Sequence, residues 1–343
     1  MSQLSCEPFQ INSRPCIAAA SVLSASGATI FMLLPILLGS AAEYLKLNEE
    51  QAGLLASSYF AGFLLVCVSA VVWMRRVNWR CVGAMGSLIL AVGLTASAMT
   101  ASFQALLGTM AVSGVGAGIL YALAICVLAD TKNPDRNFGI KLLVELILAA
   151  LLLLILPMYV SELWGFKGLM MCVVAVVSVC GFAAFWLPVQ GRKENESADV
   201  EGTHPQKNGP IWLALMALMI YFAGLSGIWA FLERIGTSNG FAIETIGICL
   251  SLSLLGGALG AFCAAWWGEK FGRTLPLILS TVLLMGGVVM YSSTQNVTAF
   301  AVASFVFSYA WNYGLPYQMG IVVSLDQKGS LAVLMSSFLS LGA

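Results

Sequence analysis

The sequence predicts an all-α, polytopic membrane protein, and three features support this fold class. Hydrophobic residues make up 59% of the chain and charged residues only 9%, whereas a soluble domain carries about 25% charged residues. The mean hydropathy is +0.91. Apolar runs of roughly 20 residues, the length that crosses a bilayer, recur along the whole chain. Most of the surface of such a protein faces lipid.

Charges and turn residues divide the apolar sequence into eleven predicted helices. After a cytoplasmic segment over 1–14, a first six-helix bundle is predicted over 15–188, with helices near 15–39, 51–74, 81–99, 104–128, 138–158 and 166–187. A polar segment over 189–209 is predicted to be a solvated cytoplasmic linker. A second bundle is predicted over 210–343, with helices near 210–232, 245–267, 275–292 and 298–322 and an eleventh from about 331.

Basic residues are distributed unevenly between the two sets of loops. If the N-terminus is cytoplasmic, thirteen of the 16 Lys and Arg residues lie on the cytoplasmic side, and the opposite side holds Lys46, Lys167 and Arg234. Cytoplasmic loops are enriched in Lys and Arg. The distribution therefore predicts a multi-pass protein of the bacterial inner membrane with a cytoplasmic N-terminus.

The chain contains an internal repeat. A shift of 194 positions overlays the second helix on the eighth and pairs Gly53 with Gly247, Ser57 with Ser251, Gly62 with Gly256 and Trp73 with Trp267. A shift of 196 overlays the end of the fourth helix on that of the tenth and pairs Tyr121 with Tyr317 and Asp130 with Asp326. Two parallel halves with a solute path between them are predicted.

The turn between the eighth and ninth helices reads Gly268-Glu269-Lys270-Phe271-Gly272-Arg273. This glycine, acidic, basic, glycine and arginine pattern resembles the turn found in each half of the major facilitator superfamily (MFS). The resemblance implies two six-helix bundles, alternating access and a conformational latch made of Glu269, Lys270, Gly272, Arg273 and Asp130. In the first half Arg75 stands where the second half has its acid, so the first-half turn departs from the pattern. A plain topology determinant is the alternative.

Two glycine pairs are spaced for close helix contact. Gly114 and Gly118 lie four residues apart in the fourth helix, and Gly256 and Gly260 in the eighth. Without a Cβ atom, such positions let two backbones approach closely. Static packing and an interface that slides during transport are both compatible with this spacing.

Glu145 lies inside the fifth predicted helix, about 10 Å beyond its cytoplasmic boundary at a rise of 1.5 Å per residue. Lys141 precedes it by four residues, so the two side chains share a helix face. One interpretation is an ion pair that only satisfies itself. The other is a proton or cation site, in which burial favours the protonated acid and the lysine favours the carboxylate.

The tenth helix is the most polar and aromatic of the predicted crossings. At 100° per residue, one face presents Tyr309, Asn312, Tyr313 and Pro316. Pro316 is expected to kink the helix because it cannot donate to the carbonyl of Asn312. These residues, with Tyr121, are candidates for solute binding; a kinked packing helix is the alternative. Ser24, Ser26 and Thr29 on the first helix are weaker candidates, since hydroxyls also bond to their own helix.

Several functions are disfavoured. The sequence has no nucleotide-binding P-loop, no Cys-x-x-Cys pair, and one histidine, His204, in the predicted linker. We therefore expect no enzyme activity, no cofactor, no metal site and no nucleic-acid partner. The expected partners are the lipid bilayer, a small organic solute and protons or another coupling ion, and the expected state is a monomer.

The preferred interpretation is a proton-coupled secondary transporter of a small organic solute. A channel, a non-transporting membrane sensor and an inactive transporter fragment are the alternatives. Adding 194 to the fifth helix places the eleventh over 332–352, yet the sequence ends at Ala343. This arithmetic leads us to expect a C-terminally truncated MFS chain with about eleven of twelve helices and an incomplete second bundle.

Overall fold

The computed structural model describes residues 11–190, 209–241, 243–293, 296–326 and 331–342, and no strand occurs among them. Helices α1 to α6 of the first half span Arg14–Leu45, Glu49–Trp73, Trp79–Met99, Phe103–Ala129, Pro134–Ile155 and Glu162–Gly181. Helices α7 to α11 of the second half span Gly209–Ser238, Ile243–Trp267, Thr274–Ser293, Val297–Leu325 and Met335–Gly342. Most of the predicted linker lies outside the described residues. Within the described residues, α1 to α4 and α6 to α9 are the eight helices long and apolar enough to cross a bilayer.

Side-chain caps explain why several helices begin before their apolar runs. Asn48 and Gln51 form a capping box at the start of α2. The side chain of Asn78 accepts hydrogen bonds from two backbone N–H groups at the start of α3, and Ser102 caps α4. These contacts satisfy N–H groups that have no partner inside the helix. The helices predicted from 51 and 81 accordingly begin two residues earlier in the structure.

The predicted repeat is visible in the helix bounds. Adding 194 to the bounds of α2 gives 243–267, the bounds of α8, and adding 194 to those of α3 gives 273–293, against 274–293 for α9. The start of α4 shifts by 194 to the start of α10, at residue 297. Helix α10 has 29 residues and α4 has 27. The two additional residues explain why the shift is 194 at the start of these helices and 196 at their end.

Helices α5 and α6 are joined without a long loop. A π-helical segment, Leu156–Ser161, follows α5 directly, and the chain bends at Gly165, where φ is 55° and ψ is −150°. Glycine tolerates this backbone conformation at little cost. A short 3₁₀ segment, Phe182–Trp186, ends this region. The predicted break between helices near 158–166 is therefore a π-helical segment followed by a glycine kink.

The predicted glycine pairs lie at close contacts between helices. A Cβ atom on Gly114 would collide with the carbonyl oxygen of Tyr59 in α2. A Cβ atom on Gly256 would collide with the carbonyl oxygen of Phe305 in α10. The α2–α4 and α8–α10 contacts thus depend on glycine in both halves.

The two halves share a hydrophobic core at one end of the bundle, which we call the basic end because it carries Arg75 and Arg273. There α5 packs against α8 and α10. Helices α2 and α4 pack against α11 and the short 3₁₀ segment before it, Ala332–Leu334. The shared core includes residues of the second half near this end: Leu215, Ala261, Met319, Val322 and Met335. At the opposite end the second half has a separate core: Leu225, Leu232, Ile246, Cys249, Tyr291, Phe300, Ala303 and Phe307.

Candidate functional site

A buried ion pair lies on α5. The Nζ atom of Lys141 is 2.8 Å from Oε1 of Glu145, one helical turn away. The exposed fraction of the whole residue is 0% for Lys141 and 3% for Glu145. The four-residue spacing thus pairs the two side chains, and both lie in the interior of the first half.

Two neighbouring helices complete the surroundings of this pair. From α1, the hydroxyl of Ser24 donates a hydrogen bond of 2.5 Å to Oε1 of Glu145. From α4, the ring of Tyr121 lies under the lysine, with 4.1 Å between Nζ and the ring centroid. We call Ser24, Tyr121, Lys141 and Glu145 the α5 cluster. The ammonium and the serine hydroxyl meet at one carboxylate oxygen.

The α5 cluster has two charge states. With Glu145 ionised, its net charge is zero. With Glu145 protonated, the cluster carries the single positive charge of Lys141, held against an aromatic ring face that attracts cations. Because the site is buried, this difference of one charge changes the electrostatic energy of neighbouring groups much more than it would in water.

The predicted residues of α10 fall into two groups. The rings of Tyr309 and Tyr313 stack with centroids 5.8 Å apart and an interplanar angle of 18°. Tyr313 also contacts Tyr317 and Trp267 edge-on, at 5.5 and 5.6 Å. This aromatic stack packs against α8.

Asn312 lies apart from that stack. Its Nδ2 donates a 3.0 Å hydrogen bond to the carbonyl of Ser308, beside Gly257 of α8. Pro316 is buried inside α10, which continues through it to Leu325. Of the five predicted solute-binding residues, the structure thus places Tyr309 with Tyr313, and Tyr121 with the α5 cluster.

The predicted latch turn makes an ion pair across the two halves. Arg273 donates from Nε to Oδ1 of Asp135 at 3.1 Å and from Nη2 to Oδ2 at 2.9 Å, and Nη2 also lies 2.6 Å from Oε1 of Glu269. Lys270 is exposed in the same turn, and Gly272 supplies a positive φ of 66°. Asp135, at the start of α5, was not predicted as a latch residue. A Cβ atom on Gly320 of α10 would collide with its carboxylate.

Burial and charge affect these carboxyl groups differently. Burial raises the pKa of Asp135 to about 6, although the neighbouring arginine opposes the shift. A hydrogen bond from Asp135 lowers the pKa of Glu269, and the charge of Arg273 adds to this effect. Both groups lie at the basic end. Asp135 precedes the predicted span over 138–158, and Glu269 follows the predicted span over 245–267.

Asp130 also pairs with an arginine, but within the first half. The guanidinium of Arg75 contacts both of its carboxylate oxygens, at 2.8 and 3.1 Å. Its counterpart in the repeat, Asp326, accepts hydrogen bonds from the backbone N–H groups of Leu331 and Ala332. Arg75, which departs from the motif, therefore still takes part in an ion pair at the basic end.

The sequence matches the family model of the Major Facilitator Superfamily over residues 18–343. The chain belongs to this superfamily. No curated protein sequence matches it significantly. An MFS fold is a fold of membrane transporters, so this MFS protein is an integral, multi-pass membrane protein with the architecture of a secondary transporter.

Three solved structures resemble this MFS protein. FucP, the fucose:proton symporter of E. coli, in its outward conformation has a TM-score of 0.73 at 16% identity, over 95% of this chain and 88% of FucP. The human organic anion transporter MFSD10 gives 0.75 at 15% identity, over 96% and 91%. The proton:xylose symporter XylE, bound to 6-bromo-6-deoxy-D-glucose, gives 0.73 at 12% identity, over 97% and 86%. At these identities the likeness shows the fold.

Proposed function

We propose that this MFS protein is a proton-coupled secondary transporter of a small organic solute. The observation that carries the proposal is the Lys141–Glu145 pair, buried where α1, α4 and α5 meet. Ionisable residues within membrane spans are costly and mark ion paths and proton relays. Glu145 is the proposed proton carrier, and Lys141 is the group that senses its charge.

Stability alone is a poor explanation for this pair. Burying two charges costs several kcal/mol per ion, and packed apolar residues of similar volume are often as stable or more stable. A carboxylate with two charge states, held by Ser24 and Lys141, instead provides a site that a proton can occupy reversibly. Gain or loss of that proton changes the interaction with the lysine, so proton binding can be linked to a change of conformation.

Alternating access is supported by the packing between the halves. In the orientation that the basic residues predict, the basic end is cytoplasmic. There the shared core and the Arg273–Asp135 ion pair hold the halves together, which corresponds to an outward-facing state. The FucP structure that resembles this chain is also in an outward conformation. We propose that the latch turn releases Asp135 when the protein opens inward.

We assign the solute contacts of the second half to α10. Asn312 presents a side-chain amide whose Nδ2 donates to the carbonyl of Ser308. Tyr309 and Tyr313 present a stacked aromatic surface, and Pro316 interrupts the hydrogen-bond pattern of the helix between them and its end. In this proposal α10 selects the solute and the α5 cluster couples it to protons.

The test is transport by purified protein in liposomes that contain a pH-sensitive dye, with an imposed pH gradient. A panel of small organic acids and sugars serves as the solute set. We expect one solute class to enter with protons, and Glu145→Gln to lose the coupled proton movement. The exposed Glu43 of α1 provides a matched control, because Glu43→Gln removes a carboxylate of the same kind and should leave coupling unchanged.

Three outcomes would contradict the proposal. Single-channel currents would indicate a channel. Solute binding without any flux would indicate a sensor or an inactive fragment. Flux with unchanged proton coupling in Glu145→Gln would show that the coupling residue lies elsewhere.

A further inference from the structure

We propose that Lys141 binds the carboxylate of the transported solute, so that the substrate class is a small organic monocarboxylate taken up together with one proton. The inference rests on the proposed function and names the substrate of the same site. Its basis is the two donors, Lys141 and Ser24, that converge on one carboxylate oxygen of Glu145.

The donors around that carboxylate form an anion site. The Lys141 ammonium lies 2.8 Å and the Ser24 hydroxyl 2.5 Å from the same oxygen of Glu145. Charge-assisted hydrogen bonds of this length are the strong ones for carboxylates. A solute carboxylate placed against Nζ and Oγ would therefore receive the two donors that now serve the side chain.

Protonation of Glu145 vacates these donors. A neutral carboxylic acid no longer neutralises the ammonium, and a buried cation without a counter-ion is costly. Among the described residues, Tyr121 presents a ring face to the cluster from α4, the thiol of Cys67 on α2 is buried, and neither supplies a second anion. A solute anion would restore neutrality, so proton binding and anion binding favour each other.

The number of cations limits the charge of the solute. Among the described residues Lys141 is the one lysine or arginine that is completely buried. A single buried ammonium matches a single carboxylate and not a dicarboxylate. The proton on Glu145 and the anion on Lys141 together carry no net charge, so the loaded protein would move without net charge transfer. Transport should then respond to a pH gradient and not to a membrane potential.

The experiment measures binding and proton uptake by the detergent-purified full chain. Acetate, lactate and benzoate are compared with fucose and xylose by thermal stabilisation at about pH 5.5 and about pH 7.5. We expect one or more of the carboxylates to bind, and to bind more tightly at the lower pH, because proton binding and anion binding favour each other. In weakly buffered solution at the higher pH, binding should remove close to one proton per anion from the medium.

Variants separate the roles of the two charged residues. Glu145→Gln should bind the same carboxylate with no pH dependence and no proton uptake, because the amide imitates the protonated acid. Lys141→Arg should retain binding. Lys141→Gln should lose it, and the double variant Lys141→Gln/Glu145→Gln, which leaves no buried charge unpaired, should be folded and also fail to bind.

The results distinguish this inference from the proposed function. Stabilisation by the sugars and by none of the carboxylates would overturn the monocarboxylate assignment, and so would unchanged carboxylate binding in the folded double variant. In either case, flux driven by a pH gradient and lost in Glu145→Gln would leave the proton-coupled transporter in place. Equal carboxylate affinity at both pH values in the wild-type protein would overturn the link between Lys141 and Glu145.

Discussion

The interiors of the two halves differ in charge although their helices repeat. The serine of the α5 cluster corresponds to Leu218 at a shift of 194, and the lysine and glutamate correspond to Ser337 and Leu341 at the shift of 196 found at the end of the fourth helix. None of these three residues is charged, and Leu218 and Ser337 are buried. The tyrosine persists, since Tyr121 corresponds to Tyr317. The same arrangement of helices can thus be built without charged side chains at these positions.

This difference teaches that the charges of the first half are not needed to build the fold. The second half has two leucines and a serine at the equivalent positions and leaves no charge to satisfy. The first half keeps an ion pair that costs desolvation energy. We therefore attribute the pair to function.

The largest effect is expected when the first half is made like the second. Lys141→Met leaves Glu145 buried without its partner, which typically costs about 3–5 kcal/mol. Lys141→Met/Glu145→Leu replaces both charges by apolar side chains of similar volume, and its free energy of unfolding should return to the wild-type value or exceed it. Denaturant unfolding in detergent at about neutral pH measures both.

Transport by the same variants provides the control. The double variant should be folded and lack proton-coupled flux. A double variant less stable than the single Lys141→Met variant would show that the ion pair is a structural requirement and that the comparison between the halves fails.

The glycine contacts should behave alike in the two halves. Gly114→Ala and Gly256→Ala each place a Cβ atom against a backbone carbonyl, and overpacking of this kind costs about 1–3 kcal/mol. Gly53→Ala is the matched control, because no heavy atom outside its own helix lies within 4 Å of its Cβ position. It should be neutral or stabilising. Thermal unfolding of the three variants measures these stabilities. Equal destabilisation by Gly53→Ala and Gly114→Ala would contradict the close-contact explanation.

The inter-half ion pair should make closure of the basic end depend on pH. The pKa of Asp135 is about 6 in the closed state, against about 3.9 for an exposed aspartate. The closed state therefore holds more protons, and closure is favoured as pH falls through 6 and weakened as it rises. Between about pH 5 and about pH 7 the ratio of closed to open molecules should fall about tenfold.

Spin labels at the exposed positions Arg76 and Lys270, one in each half, would report this change as a distance distribution. Asp135→Asn should remove the pH dependence of this distance distribution. The corresponding Asp130→Asn variant should leave that dependence in place, because Asp130 pairs with Arg75 within its own half. The same pH dependence in Asp135→Asn as in the wild type would assign the effect to another group.

The smallest effect concerns the tyrosine that both halves share. Tyr121→Leu removes the ring face beneath Lys141, a contact worth about 0.5–2 kcal/mol, and should weaken solute binding severalfold. Tyr317→Leu should weaken binding less, since this ring packs edge-on against Tyr313 and affects the proposed solute surface only through it. Isothermal titration calorimetry, with a solute that binds the wild-type protein, compares the two variants. Equal losses of affinity would place both tyrosines at the solute.

Local sequence patterns predicted much of this architecture. The membrane class followed from composition, the repeat from glycine and tryptophan spacing, and the Lys141–Glu145 contact from its spacing of four residues. Helix starts were less accurate, since the caps at Asn48 and Asn78 precede the apolar runs. The roles of α10, of the latch turn and of proton coupling remain predictions.

Contacts between distant segments could not be read from one sequence. Ser24 and Glu145 are 121 positions apart, and Asp135 and Arg273 are 138 apart. Nothing in the local pattern of Asp135 distinguishes it from an ordinary acidic residue in the first turn of a helix. Its importance depends on the packing of α5 against α8 and α10, which only the folded structure reveals.

The position of the shared core has a consequence for biosynthesis. Helices α1 to α6 can pack together before the second half leaves the ribosome, and domains generally fold in this order. The separate core at the far end of the second half needs only α7 to α10. Helix α11 contacts α7 as well as α2 and α4, so the last described helix to be translated packs on both halves. We therefore expect the joining of the halves at the basic end to be a late event in assembly.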